Sequence, residues 1–144
     1  MLLALGACGD RPAPPSAAAQ PPAELRTGDV VVRATTVPTA SLAEAMARRY
    51  GVAREPGTVL LVVGMRRGDD TAETSVRGAV SAQAVDLLGN RRPVALREVR
   101  DGAFVDYAGG VRVSMPDTLR FTIEARPDGA PAATLRFHRD FFPP

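Results

Sequence analysis

The chain has 144 residues, one cysteine, no tryptophan and two tyrosines, and its 18 basic residues against 16 acidic ones leave a formal charge of +2. Every basic residue apart from the single histidine is an arginine, and the arginines are mixed with acidic residues along the whole chain. That excludes the one-sided basic stripe and the aromatic stacking surface of a nucleic-acid binder, while a lone cysteine excludes an internal disulfide and leaves packing to hold the fold.

At the N-terminus, Leu5-Gly6-Ala7-Cys8 closes a short apolar run. Leucine, two small residues and a cysteine resemble the acylation box of bacterial lipoproteins, where the small residues admit the peptidase and the thiol accepts the diacylglycerol. The resemblance implies lipidation of Cys8, with residues 1–8 as the remnant of a signal peptide. Met1–Ala7 is short for a signal core and carries no basic residue, which points to a start further upstream. Seven apolar residues fall far below the about 20 that span a bilayer, whereas several acyl chains together anchor stably. Gly9 stands where an aspartate would resemble an inner-membrane retention signal. The expected location is therefore the periplasm, lipid-anchored through Cys8, at the outer membrane rather than the inner. Residues 9–26 hold Pro12, Pro14, Pro15, Pro21 and Pro22 and read as a disordered tether. In polyproline form, at about 3.1 Å per residue, it would reach roughly 50 Å.

Residues 27–144 read as one folded domain, large enough to bury about two-thirds of its unfolded surface. Val30, Val32 and Ala34 alternate with Val31, Arg33 and Thr35, a half-buried strand that Pro38 stops. Ser41-Leu42-Ala43-Glu44 fits a capping box. Leu42, Ala45, Met46 and Tyr50 then share one helical face, and Gly51 supplies the left-handed stop. The unbroken run Val59–Val63 suits a central, well-covered strand. Arg66–Thr71 is a turn, after which Val76, Gly78, Val80, Ala82 and Ala84 point inward. Leu88-Gly89-Asn90 turns the chain. Val94 and Leu96 keep one phase that Val99 breaks, which predicts a bulge near Arg97 and Glu98. Asp101-Gly102 marks a hairpin, Phe104–Ala108 a strand ending at Gly109-Gly110, and Val111–Val113 a further short piece. Leu119, Phe121, Ile123 and Ala125 alternate cleanly, and the rhythm resumes after Pro127-Asp128-Gly129 at Ala133, Leu135 and Phe137. About seven short strands at this spacing, with one short helix, predict a mainly β fold: an immunoglobulin-like antiparallel β-sandwich, with a barrel as the alternative.

Several stretches together resemble the domain of unknown function 4426 family, small exported proteins of Gram-negative bacteria. They are Arg48-Arg49-Tyr50-Gly51-Val52, Leu87-Leu88-Gly89-Asn90, Leu96-Arg97-Glu98-Val99-Arg100-Asp101-Gly102, Thr118-Leu119-Arg120-Phe121 and Leu135-Arg136-Phe137. The resemblance covers nearly all of residues 27–144 and implies an exported β-sandwich. It carries no activity, ligand or catalytic residue with it.

Candidate chemistry is sparse. His138, the one possible proton shuttle for a serine triad, falls on the outward phase with Arg136 and Asp140. Zinc needs about four ligands, and Met46, Met65 and Met115, the thioethers that copper(I) would favour, read as core or rim residues. Asp69-Asp70 lacks the alternating ligands of a calcium loop. Glu98 and Asp101 could form a glycosidase-like pair but lie among Arg97 and Arg100. Gly109-Gly110 lacks the residues of a phosphate loop. The sequence therefore assigns no catalytic residue, no metal ligand and no cofactor, and lipidation of Cys8 is its one site. The reading is a non-enzymatic, membrane-anchored module that holds an envelope protein through a sheet face or edge. A small-ligand module with a cleft beside Tyr50 and a small envelope enzyme are the alternatives.

Overall fold

A computed structural model describes residues 20–69 and 71–144. Cys8, most of the expected tether and Asp70 lie outside the described residues. In chain order the strands are β1 (Ala23–Thr27), β2 (Val30–Pro38), β3 (Thr58–Arg67), β4 (Thr74–Ser75), β5 (Gly78–Val85), β6 (Arg91–Val94), β7 (Arg97–Asp101), β8 (Phe104–Arg112), β9 (Asp117–Pro127) and β10 (Ala133–Phe141). Helix α1 (Glu44–Tyr50) lies between β2 and β3. Every pairing is antiparallel. The larger sheet runs β1-β2-β3-β8-β7 with β4 against the end of β3, and the smaller runs β10-β9-β5-β6. Two sheets face each other, so the fold is the expected antiparallel β-sandwich and not a barrel. It has ten described strands instead of about seven.

The period-two alternation decides what fills the gap between the sheets. Val30, Val32 and Ala34 of β2, Val59, Leu61, Val63 and Met65 of β3, and Val105, Tyr107 and Val111 of β8 point inward. Leu119, Phe121, Ile123 and Ala125 of β9 and Leu135 and Phe141 of β10 meet them from the smaller sheet. Phe121 stacks on Phe137 with ring centroids 5.1 Å apart. The Tyr107 hydroxyl crosses the core, donating to the Gly78 carbonyl (3.0 Å) and accepting from the Gly78 N–H (3.1 Å). That removes the cost of burying an unpaired phenol.

Four sequence expectations are corrected. First, the tether ends before residue 26: Ala23–Arg26 belong to β1, paired with β2 from Ala23↔Ala34 to Thr27↔Val30. Pro21 and Pro22 precede the strand and so leave its ladder intact. Second, there is no capping box. Thr39–Ser41 form a 3-10 turn, Ala43 is the N-cap without a side-chain bond, and α1 begins at Glu44. This shift turns Ala45 to solvent, while Leu42, Met46, Ala47 and Tyr50 pack inward. Gly51 does close the helix in the left-handed conformation (φ 64°).

Third, the phase break before Val99 is a change of sheet and not a bulge. β6 pairs with β5, and three residues later β7 pairs with β8 in the other sheet. The crossing needs Gly109, because a Cβ there would stand 2.2 Å from the Ala95 carbonyl oxygen. Fourth, Gly109-Gly110 do not end a strand but lie within β8, paired with Leu61 and Leu60.

The adjacent glycines give a sharp contrast. Gly109→Ala should destabilise the domain by about 1–3 kcal/mol through overpacking. Gly110→Ala, whose new Cβ would meet only Thr58 Cγ2 at 3.4 Å, should be neutral or slightly stabilising through the unfolded chain. Urea unfolding of the two variants measures both; equal midpoints would sink the assignment of Gly109 to the crossing.

Candidate functional site

The outer face of the larger sheet is divided in two. Helix α1 covers one half, where Leu42, Met46, Ala47 and Tyr50 pack on Leu60, Val62, Val99 and Ala108. Two contacts strap the helix down: Arg49 to Asp101 at 2.8 Å, and the Arg97 guanidinium donating to the Tyr50 carbonyl. The other half is a shallow recess of about 140 Å³ lined by Arg33, Thr35, Val62, Gly64, Arg66 and Asp106. Small-molecule sites occupy roughly 300–1,000 Å³, so this recess is too small to enclose such a ligand.

Its charges are already committed. Arg66 bonds Asp106 at 2.5 Å, donates to the Val105 carbonyl and lies 5.0 Å from the Phe104 ring. Arg33 pairs with Glu24 at 2.7 Å and Glu73 at 3.4 Å. Gly64 lets the Arg66–Asp106 pair lie flat, since a Cβ there would stand 2.9 Å from Asp106 Oδ1. At the border of α1, burial first and the Asp106 charge second push the Tyr50 hydroxyl above its ordinary value and keep it protonated. Two arginines against three carboxylates make a poor anion site.

The outer face of the smaller sheet has the opposite character. Cross-strand register puts Arg91, Val85, Arg120 and His138 in one row, Pro93, Gln83, Thr122 and Arg136 in the next, and Ala79 beside Arg126 further along. Arg91, Arg120, Arg126 and Arg136 make no ion pair among the described residues. The carboxylates on this face are Glu124 and Asp140, and Asp140 accepts from the Thr118 hydroxyl at 2.7 Å. The face is open and basic, with a shallow recess of about 190 Å³ lined by Ala79, Val80, Ser81, Glu124 and Arg126.

One end of the sandwich is apolar. Leu87 and Leu88, in the β5–β6 turn, are 72% and 89% exposed, and Phe142, just past β10, is 69% exposed. The Leu87 N–H donates to Asp117 Oδ1 at 3.2 Å, and Asp117 pairs with Phe141, so these groups share one end of the smaller sheet. The chain enters the domain there too: the Gln20 amide donates to the Asp140 carbonyl (3.0 Å) and Arg139 donates to the Pro21 carbonyl (2.6 Å).

The residues singled out from sequence do not come together. His138 is exposed on the smaller sheet. Glu98 and Asp101, three apart on β7, project to opposite sides; Glu98 pairs with Arg77 and Arg100, and Asp101 with Arg49. Asp69 Oδ1 is taken up by the Thr71 hydroxyl and the Thr71 and Ala72 N–H groups, which lower its pKa, the Thr71 side chain most. Met65 is buried between the sheets, Met46 lies on the inward side of α1 and Met115 packs against the margin of the main core. Among the described residues, no three histidine, cysteine or carboxylate side chains cluster as metal ligands, and no helix is long and apolar enough to cross a membrane. The basic face corrects the expectation that arginines so mixed with acidic residues form no one-sided basic surface. Its signal was present in the outward phase of Arg120, Arg126 and Arg136, but which arginines lack carboxylate partners depends on cross-strand register.

Fold and surfaces define an antiparallel β-sandwich module with one strapped helix. The chain belongs to the DUF4426 family, a domain of unknown function, whose family model matches residues 24–144. A DUF4426 family protein of known structure from Pseudomonas aeruginosa is similar, with 26% identity and a TM-score of 0.72 over 85% of this chain and 96% of that one. FetP from a uropathogenic Escherichia coli strain shares the fold at 10% identity and a TM-score of 0.58, covering 83% of this chain and 95% of its own. A copper-bound variant of FetP gives a TM-score of 0.57 at 10% identity, over 82% and 95% of the two chains. No curated protein matches the chain.

The turn that presents Leu87 and Leu88 is itself held by a carboxylate. Asp86 is buried and accepts from the Asn90 backbone N–H (2.8 Å) and side-chain amide (3.0 Å). The Asn90 side chain does most to lower its pKa, against the opposing effect of burial. Its contribution to stability is therefore complete above the unfolded value of about 3.9 and is lost as pH falls through the lower folded value. Asn90→Ala should shrink the drop in the urea midpoint between about pH 7 and about pH 2.5. An unchanged drop would show that Asp86 is not linked to folding.

Proposed function

We propose that this protein is a non-enzymatic interaction module of the bacterial envelope, exported to the periplasm and anchored by a lipid on Cys8, on the periplasmic face of the outer membrane. It holds an acidic partner surface on an envelope protein against the outer face of the smaller sheet. The observation that carries this reading is the set of uncommitted arginines there, Arg91, Arg120, Arg126 and Arg136. On the larger sheet, by contrast, Arg33 and Arg66 are neutralised by their own neighbours. Unpaired guanidinium groups on an open face favour bidentate contact with carboxylates and speed encounter with an oppositely charged surface. The resemblance of Leu5-Gly6-Ala7-Cys8 to a lipoprotein box supports the anchor, and family membership supports export.

The test is a pull-down from crosslinked cell envelopes with the native protein, a Cys8→Ala form and an Arg120→Glu/Arg136→Glu form. One envelope protein should be recovered in stoichiometric yield with the native chain. Recovery should fall by about tenfold or more with the double reversal, where like charges now meet, and should fall with rising salt. Undiminished recovery by the double reversal would refute the basic face as the docking surface. Recovery unaffected by Cys8→Ala would remove the anchor from the mechanism.

A further inference from the structure

The apolar end of the smaller sheet is not explained by a partner on its basic face. Leu87, Leu88 and Phe142 project there with most of their surface in water, accompanied by exposed Pro116, Pro143 and Pro144. The turn that carries the leucines is firmly built, through the Asp86–Asn90 bonds and the Leu87–Asp117 bond. Three large apolar side chains gathered at one end mark an interaction site, and the path of the chain indicates what meets it. Gln20 and Pro21 are tied to Asp140 and Arg139 at this same end. Only twelve residue steps separate Gln20 from Cys8, a span of at most about 40 Å. On the rim, Arg91 and Arg120 flank Val85 just before the turn, without carboxylate partners among the described residues.

We infer that this end is a membrane-seating tip: Leu87, Leu88 and Phe142 enter the surface of the bilayer that holds the Cys8 anchor, and Arg91 and Arg120 meet its anionic headgroups. The inference rests on the lipid-anchor reading. Apolar side chains at an interface, backed by basic ones, are the chemistry of reversible surface binding, and an anchor adds a second attachment to the same bilayer.

The absence of tryptophan and the single thiol make the test direct. The full chain carrying Leu88→Trp is coupled through Cys8 to a maleimide lipid in phosphatidylethanolamine–phosphatidylglycerol vesicles, and Ala103→Trp at the opposite end serves as control. Leu88→Trp emission should shift to the blue and be quenched by brominated acyl chains about threefold or more above the control, as for a side chain at acyl-chain depth. Equal, water-like emission from both positions would overturn the proposal. So would a blue shift of Leu88→Trp without vesicles that grows with protein concentration, because the tip would then be covered by a second copy. Mass spectrometry of Cys8 in the native protein reports the anchor separately: an unmodified thiol would sink the anchor reading, whatever the coupled chain shows about the tip.

Discussion

The arrangement depends on the burial of β3 from both sides. Val59, Leu61, Val63 and Met65 fill the space between the sheets, while Leu60 and Val62 on the opposite phase lie under α1. A strand apolar on both phases must be covered on both faces, and here the second cover is a helix of only seven residues. Such a helix would not persist alone. It is held by its apolar stripe and by the Arg49–Asp101 and Arg97–Tyr50 contacts. The requirement to cover β3 therefore uses half of the larger sheet's outer face, and ion pairs over Gly64 occupy the rest. What remains available is the smaller sheet's outer face and the end from which the chain enters.

The sheet edges are guarded in ways that turn partners away from strand addition. β6 is four residues long and contains Pro93. β7 carries Arg97, Glu98, Arg100 and Asp101 along five residues. Short, proline-bearing or charged edges discourage pairing with another chain. The change of sheet between β6 and β7 contributes to this, since it splits one long edge into two short ones belonging to different sheets. The longest edge strand, β10, has its end engaged by Gln20 and by the Arg139–Pro21 bond. The proposed recognition by the basic face, through side chains, is consistent with the short or charged edges at β6 and β7.

Much of the fold was legible because period-two alternation reports burial directly. β2, β9 and β10 lie where Val30–Ala34, Leu119–Ala125 and Ala133–Phe137 place them. Reading failed where a non-local contact decided the outcome. Ser41-Leu42-Ala43-Glu44 has the residues of a capping box, but the Thr39 hydroxyl, fully buried, donates to the Glu55 carbonyl and accepts from the Glu55 N–H. That contact fixes a 3-10 turn ahead of the helix and moves the start to Glu44. The break in phase at Val99 was visible, but a bulge and a change of sheet produce the same local pattern; only the pairing of Arg97 with Ala108 distinguishes them. The Pro-rich tract concealed β1 because Ala23, Leu25 and Thr27 alternate over too few residues to outweigh five preceding prolines. The candidate surfaces were the least legible part. Arg33, Arg66, Arg120 and Arg136 look alike in sequence, and only register shows that the first two have carboxylate neighbours.

A domain whose basic face and apolar end adjoin gains from being held near its target. Arg91 and Arg120 flank Val85 just before the Leu87–Leu88 turn, with Thr118 and Asp140 in the outward row beyond Arg120, so the two surfaces adjoin. An isolated open face with four uncommitted arginines would bind weakly, since exposed charge pairs are screened at physiological salt. With the proposed Cys8 anchor, attachment within about 40 Å of a membrane would make docking to a neighbour in that membrane nearly intramolecular, with effective concentrations on the order of millimolar for short links. Seating the tip would further limit the orientations the basic face can take, lowering the entropy lost when a partner docks. Weak individual contacts on this face would then suffice for stable attachment, which fits the shallow recesses that the described residues form on the two outer faces.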